Sequence, residues 1–154
     1  MKEKIFDLAI ILASVLAFVT LLGVCFGLSS NNDSDMEERE LLARLVYLEA
    51  GTCSPECQRA MASVVLNMVE TGYWGNSIEE VIFYPNAFSP AYLIKDCTPN
   101  QAAYDAVDYV LTYGSQLPKE VRYFRADYDF DWEGYANHTV IDNVYFGYFT
   151  NGNH

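Results

Sequence analysis

Glu49 is a carboxylate on the apolar face of a predicted helix. A helix turns by about 100° per residue, and counted from Leu42 both Leu45 and Val46 fall on one face. Glu49 continues that face, and Gly51 is typical of the left-handed residue that follows a helix end. Burial and the negative end of the helix dipole both disfavour an ionised carboxylate. A Glu that keeps its proton near neutrality is suited to general acid catalysis.

The alternative interpretation is that Glu49 is an ordinary helix-end residue that extends into water. Glu38 lies at the same angle on the helix, so the angle alone does not separate the two interpretations. Glu38, however, belongs to the first turn, where a carboxylate suits the helix dipole. Glu49 belongs to the last turn, so it is the candidate for a functional role.

Capping residues, prolines and glycines mark four predicted helices. Ser, Thr and Asn side chains cap a helix start, Pro fits the first turn, and Gly favours the end. In the fourth helix, Thr98 is the predicted cap and Pro99 the first helical residue. The predicted helices run from about Asp35 to Ala50, from Ser54 to Gly72, from Ser77 to Phe83, and from Thr98 to Tyr113 with Gly114 just beyond.

The chain changes character after Pro118. The segments Val121 to Arg125 and Val144 to Phe149 are rich in aromatic residues and Val, which favours strands. Asp127 to Asp142 is acidic and typical of turns. Helices followed by a small antiparallel sheet predict an α+β domain.

An apolar segment precedes this domain. Leu8 to Leu28 is apolar or small apart from Ser14 and Thr20, and is long enough to cross a hydrocarbon core of about 30 Å. Lys2 and Lys4 favour a cytoplasmic N-terminus, which places the rest of the chain outside the membrane. We therefore predict a transmembrane anchor over residues 1–28, a tether over 29–35 and a working domain over 36–154. The protein is then a single-pass protein of the cell membrane.

Two other interpretations of the N-terminal segment stay open. A signal peptide cleaved after Ser29 would release a secreted domain, although its apolar core is usually about 7–15 residues long. Cys25 suggests a lipoprotein, but Val24 before it is a poor fit. All three interpretations export the domain.

Charge and cysteines limit the class of partner. The formal net charge of −12 argues against nucleic acid, because no basic patch is present to neutralise phosphates. Cys53 and Cys57 are spaced so that a disulfide between them is feasible, and Cys97 could pair with either. His138 would be the fourth ligand of a zinc site, but no paired ligand motif is present, so no metal and no cofactor are predicted. A thiol in an oxidising compartment tends to be consumed, which argues against Cys57 as a nucleophile.

Several motifs resemble the catalytic domain of the spore-cortex-lytic and cell wall hydrolase family, the SleB/CwlJ type. They occur in the family's order and cover most of the chain after Leu41. The motifs are Glu49-Ala50-Gly51, Ala62 to Asn67, Pro85 to Ser89, Thr98 to Asn100, and Tyr123-Phe124. The resemblance implies a lysozyme-like fold that cleaves peptidoglycan between N-acetylmuramic acid and N-acetylglucosamine, with Glu49 as general acid.

Three departures from the family pattern concern substrate contacts. Met68 stands where the family commonly has Arg, and Ala87 stands where it commonly has Gln. The segment Ile141 to Phe146 lacks a usual His. Glu49 is intact.

Only one carboxylate lies in a matching motif. Hydrolysis of a glycoside normally needs two carboxylates, whereas in a lytic transglycosylase the C6 hydroxyl of muramic acid is the nucleophile. We therefore predict a lytic transglycosylase, with hydrolysis as the alternative. Glu56, Asp129 and Asp131 are candidates for a second carboxylate, although each is typical of a solvated position.

Aromatic residues are abundant, and sugar rings stack on aromatic faces. Packing within the core or the sheet is the alternative role for each of them. The candidates for a glycan groove are Tyr73, Trp74, Phe88, Tyr92, Tyr123 and Trp132. Of these, Trp74, Phe88 and Tyr123, together with Ser89 from a matching motif, are the predicted substrate-binding residues.

A different class of function also fits the sequence. The chain would then be an inactive, membrane-tethered protein that binds peptidoglycan or regulates another enzyme on the same fold. The missing Arg at Met68 and the missing His in Ile141 to Phe146 favour this alternative, and Glu49 opposes it. Under either hypothesis the predicted partners are glycan strands and, through the N-terminal helix, the membrane.

Overall fold

Helices come first along the chain and a three-stranded sheet follows. The computed structural model describes residue 35, residues 37–126 and residues 133–150. Helix α1 is described over residues 37–50. The later elements are α2 (Pro55–Thr71), α3 (Ile78–Ile82), a 3₁₀ helix (Ala91–Asp96), α4 (Gln101–Tyr113), β1 (Tyr123–Arg125), β2 (Tyr135–Ile141) and β3 (Val144–Phe149). The predicted α+β class is confirmed.

The start and end of α2 follow the predicted capping pattern. The Ser54 hydroxyl accepts a hydrogen bond from the backbone N–H of Cys57 at 3.3 Å, and Pro55 is the first helical residue. Gly72 follows the helix with a φ of 67°, the left-handed conformation that glycine adopts without strain. Both predicted boundaries are confirmed.

The cap of α4 differs from the prediction. Asn100, not Thr98, accepts the hydrogen bond from the backbone N–H of Ala103, at 3.0 Å. Pro99 therefore lies before the helix, which begins at Gln101. Asn is at least as good a capping residue as Thr, so the residue nearer to the helix takes this role.

Gly51 was predicted to be left-handed, and that prediction was wrong. It is absent from the positive-φ residues, and its backbone N–H donates to the carbonyl oxygen of Tyr47 at 3.0 Å. A Cβ atom at this position would lie 2.4 Å from that oxygen. Glycine is therefore required here by close approach of the backbone, not by an unusual φ.

The sheet contains one strand that the sequence did not predict. Its order is β1-β3-β2, with all pairs antiparallel, so β3 is the central strand. β2 and β3 form a hairpin through Asp142 and Asn143, whose φ values are 51° and 64°. Residues 135–141 were assigned to a turn-rich segment, but the polar residues of β2 belong to an exposed edge strand.

The core lies around α2, which packs against α3, α4 and β1. The buried Asn67 joins this helix to the segment before β1, because its side-chain amide donates to the carbonyl oxygens of Pro118 at 2.9 Å and Val121 at 2.8 Å. These two bonds hold the entry into β1.

The predicted transmembrane segment, Leu8 to Leu28, lies outside the described residues. Within the part of the chain that is described, none of the helices has the length and apolar character needed to span a bilayer.

Candidate active site

A cavity of about 390 Å³ opens at the end of α1. Its lining comes from α1, α2, the loops after α2 and α3, β1 and the end of β3. All five residues that the sequence assigned to the site line this cavity, namely Glu49, Trp74, Phe88, Ser89 and Tyr123. They are far apart in the chain, and the fold brings them together.

Glu49 lies at the point where the buried face of α1 meets the cavity. Leu45 and Val46 on that face are 0% exposed, and Glu49 is half-buried. No described residue donates a hydrogen bond to its carboxylate, and burial raises the pKa of the Glu49 carboxyl above its ordinary value. Glu49 is also the only carboxylate among the described residues that line the cavity. These properties suit a proton donor.

The raised pKa predicts how Glu49 affects stability. An unfolded Glu releases its proton near pH 4.3, while the folded carboxyl keeps its proton to higher pH. The folded state therefore binds more protons in this window, and its stability falls as the pH rises through it. We expect Glu49→Gln to gain stability relative to the unsubstituted chain between about pH 4 and pH 8. Thermal midpoints measured across this range test the prediction, and a difference that does not change with pH would contradict it.

Part of the cavity wall is aromatic. Phe88 is 6% exposed and stacks on Phe124, with ring centroids 6.2 Å apart. Phe124 in turn lies 6.5 Å from the fully buried Phe146. Tyr123 packs on Tyr135 at 4.7 Å. The cavity wall is therefore continuous with the core of the sheet.

Of the other aromatic candidates, Tyr73 and Tyr92 are not among the described residues that line the cavity. Tyr73 contacts Trp74 edge-on at 4.9 Å and is itself 48% exposed. Tyr92 lies on the 3₁₀ helix and is 78% exposed. Trp132 is outside the described residues. Trp74 thus contributes to the cavity, and Tyr73 extends the aromatic surface from its edge.

Comparison with known proteins decides the family. The family model described as Cell Wall Hydrolase matches residues 54–147. The chain belongs to the cell wall hydrolase family. The match begins after Glu49, so the assignment depends on residues other than the candidate acid. It confirms the family that the motifs indicated and supports a peptidoglycan hydrolase.

Two solved structures resemble this hydrolase. The catalytic domain of the germination-specific lytic transglycosylase SleB from Bacillus anthracis is 25% identical, with a TM-score of 0.64 over 71% of this chain and 93% of that chain. The catalytic domain of the Bacillus cereus SleB protein is 26% identical, with a TM-score of 0.64 over 73% of this chain and 90% of that chain. The fold is therefore that of the SleB catalytic domain. No curated protein sequence matches the hydrolase.

Two departures from the family pattern lie in the cavity itself. Met68, which is 5% exposed, and the half-buried Ala87 both line it. Apolar side chains therefore occupy positions where the family resemblance leads us to expect polar ones. The third departure, around the β2–β3 turn, does not line this cavity.

The sequence did not identify Arg122 and Arg125, which also line the cavity of the hydrolase. They flank Tyr123-Phe124 in the run Arg-Tyr-Phe-Arg. The chain has a net charge of −12, so two basic residues beside a matching motif are unusual. That pattern was the sequence signal for a role of both arginines in the site.

The candidates for a second carboxylate are not in the described lining of the cavity. Glu56 is exposed and lines a different cavity, with Arg59 and His138. Asp129 and Asp131 lie outside the described residues.

Three cysteines lie among the described residues of the hydrolase, and Cys53, Cys57 and Cys97 are free thiols. The Sγ atoms of Cys53 and Cys57 and a carboxylate oxygen of Asp142 lie within 4.8 Å of one another, whereas the Cys97 thiol donates to the carbonyl of Arg44 at 3.8 Å. Burial, with the negative groups nearby, raises the pKa of the Cys57 thiol to about 12. Cys57 is therefore a poor nucleophile at neutral pH. Structural zinc sites usually have four protein ligands, and these residues supply three.

Proposed function

We propose that this hydrolase is a lytic transglycosylase that cleaves glycan strands of peptidoglycan between N-acetylmuramic acid and N-acetylglucosamine. The observation that carries the proposal is the half-buried Glu49, the one carboxylate among the described residues that line a cavity with several aromatic side chains. The lytic transglycosylase activity stated for the Bacillus anthracis SleB domain supports it.

The chemistry needs one residue that first donates and then accepts a proton. Glu49 protonates the glycosidic oxygen, so the bond from C1 of muramic acid breaks and N-acetylglucosamine leaves with a free C4 hydroxyl. The C6 hydroxyl of the same muramic acid then bonds to C1. Glu49 takes up the proton of that hydroxyl, which restores the acid and leaves a 1,6-anhydro end. The nucleophile belongs to the substrate, at high effective concentration.

The surroundings of Glu49 favour this sequence over hydrolysis. A hydrolase with two carboxylates places them roughly 5–10 Å apart across the scissile bond. Among the described residues lining the cavity, no second carboxylate is present. Aromatic faces at Trp74 and Tyr123 give the sugar rings surfaces on which to stack.

Mass spectrometry of the released fragments tests the reaction type. We expect purified peptidoglycan treated with the full chain to yield muropeptides that end in 1,6-anhydromuramic acid. These fragments lack one water relative to hydrolysis products. Reducing muramic acid ends in their place would contradict transglycosylation while leaving the role of Glu49 as an acid intact.

A second candidate function is an inactive protein that binds peptidoglycan. Met68 and Ala87 favour it, because both line the cavity and are apolar where the family resemblance leads us to expect polar side chains. A turbidity assay separates the two functions. Retained binding to a peptidoglycan suspension without clearing would favour the inactive protein, whereas clearing favours the enzyme.

We also propose that the domain acts outside the cytoplasmic membrane, held by an anchor at Leu8 to Leu28 or secreted after cleavage. The support is the apolar segment behind Lys2 and Lys4, together with a substrate that lies outside that membrane. Protease protection in intact cells tests the location, because an exported domain is accessible to added protease.

A further inference from the structure

Arg122 presents a buried, unpaired hydrogen-bond donor at the wall of the Glu49 cavity. Its backbone N–H donates to the carbonyl oxygen of Gly147 on β3 at 3.2 Å, so the backbone of Arg122 is held against the central strand. Its Nε atom is buried and has no hydrogen-bond partner. Buried donors of charged groups are rarely left unpaired, because they lose their contact with water.

No acidic residue of the described chain neutralises Arg122. The ion pairs of the described residues join Arg39 to Asp108 and Arg44 to Glu40. Glu49 lines the same cavity as Arg122. The pKa of the Glu49 carboxyl is raised by burial, whereas a cation in close contact would lower it, so Glu49 does not act as the ionic partner of Arg122. The chain has 21 acidic and only 9 basic residues, so an unpaired guanidinium is unexpected on composition alone.

Trp74 contacts the guanidinium of Arg122 but supplies no hydrogen-bond acceptor. Its Cζ atom lies 5.7 Å from the centroid of the Trp74 ring, within the range of a cation–π contact. Arg125, which lines the same cavity, differs because its Nε donates to the Tyr123 hydroxyl. Arg122 is therefore the cavity arginine whose side chain has no hydrogen bond or ion pair with a described residue.

We propose that Arg122 forms a subsite for an acyl oxygen of the sugar substituents, and this rests on the proposed function. Both sugars of the strand carry an N-acetyl carbonyl, and muramic acid also carries a lactyl group that ends in a carboxylate or an amide. An arginine edge binds such oxygens strongly. Arg122 and Trp74 line the same cavity and contact each other, so a sugar ring bound at Trp74 would lie beside the guanidinium. Arg122 thus positions the strand, and Glu49 transfers the proton.

Binding to the full chain carrying Glu49→Gln tests the subsite without cleavage. We expect Arg122→Met to weaken binding of a tetrasaccharide of alternating N-acetylglucosamine and N-acetylmuramic acid by about 10- to 100-fold, measured by calorimetry, as for loss of a hydrogen bond to a charged group. Arg122→Lys keeps the charge but lacks the Nε–H, so binding should recover only in part. Lys119→Met makes the same charge change at an exposed position outside the cavity lining and should leave affinity unchanged.

A second ligand identifies the source of the oxygen. Chitotetraose has N-acetyl groups but no lactyl groups. If Arg122→Met weakens binding of the muramic acid tetrasaccharide alone, the acceptor is the lactyl oxygen. If it weakens binding of both ligands equally, the acceptor is an N-acetyl oxygen. Unchanged affinity of Arg122→Met and Arg122→Lys for both ligands would overturn the subsite. If Arg122→Met does not fold, judged by its thermal midpoint, Arg122→Lys and Arg122→Gln decide. Cleavage by the unsubstituted chain tests the proposed function separately.

Discussion

Replacing Glu49 by Gln is expected to lower the rate of glycan cleavage by about 10²- to 10⁴-fold, the usual contribution of a general acid. The amide has the size of the carboxyl but does not transfer a proton to the glycosidic oxygen. Because Glu49 is the only carboxylate in the described lining of the cavity, no neighbouring acid is available there to replace it. Clearing of a peptidoglycan suspension and quantification of released muropeptides measure the loss.

Glu56→Gln is the matched control for this prediction. It makes the same chemical change at an exposed residue of the first turn of α2, which lines a different cavity. We expect its cleavage rate to stay within about twofold of the unsubstituted rate, since exposed residues away from a site have small effects. Equal cleavage by Glu49→Gln and the unsubstituted chain would exclude Glu49 as the acid. A large loss in Glu56→Gln would instead reinstate a second carboxylate.

The substitution also separates the demands of function from those of folding. The carboxyl of Glu49 is kept half-buried with no hydrogen-bond donor from the described residues, an arrangement that favours the protonated acid and penalises its ionised form. As the pH rises, Glu49→Gln is therefore expected to become more stable relative to the unsubstituted chain, while its cleavage activity is lost. Opposite effects of one substitution would indicate that the environment of Glu49 serves catalysis.

The helices were predictable because their signals are local. Ser54 and Gly72 act within one turn of α2, and the structure places its ends where those residues predict. Thr98 and Asn100 are both good capping residues, so sequence alone did not decide between them. The outcome depends on which side-chain oxygen reaches an unpaired N–H, in this case that of Ala103.

The missing strand shows where local signals fail. β2 carries Asn137 and His138 at its exposed edge, and its register shifts between Asn137 and Thr139. Such a strand lacks the alternation that marks a buried one. Its place is set by pairing with β3 through the turn at Asp142 and Asn143, which is a property of the hairpin and not of the strand's composition.

The site was predictable for the residues that matching motifs carry, and Arg122 was missed for a physical reason. Arg122 and Arg125 are alike in sequence, since each flanks the aromatic pair. They differ in their contacts, because Arg125 bonds to Tyr123 while Arg122 is held by β3 and lies against Trp74. These contacts depend on strand register and on Asn67, which holds the carbonyl of Val121. Only the tertiary structure distinguishes the two arginines.

Phe146→Ala is expected to destabilise the domain by about 3–5 kcal/mol, the usual cost of removing a buried aromatic ring. Phe146 is 0% exposed on the central strand and faces Phe124, the ring that stacks on Phe88 in the cavity wall. The loss should lower the thermal midpoint by roughly 10–20 °C. Circular dichroism or calorimetry measures it, and urea unfolding gives the change in free energy.

Phe83→Ala provides the comparison, because it removes the same atoms from a ring that is 44% exposed at the end of α3. That change should cost less than about 1 kcal/mol, since the ring makes fewer contacts and leaves no closed cavity. Similar destabilisation by both variants would mean that Phe146 is not central to the core. If the prediction holds, Phe146→Leu should recover part of the loss by refilling the volume. Cleavage by that variant then reports how closely the rings of Phe124 and Phe88 depend on the packing behind them.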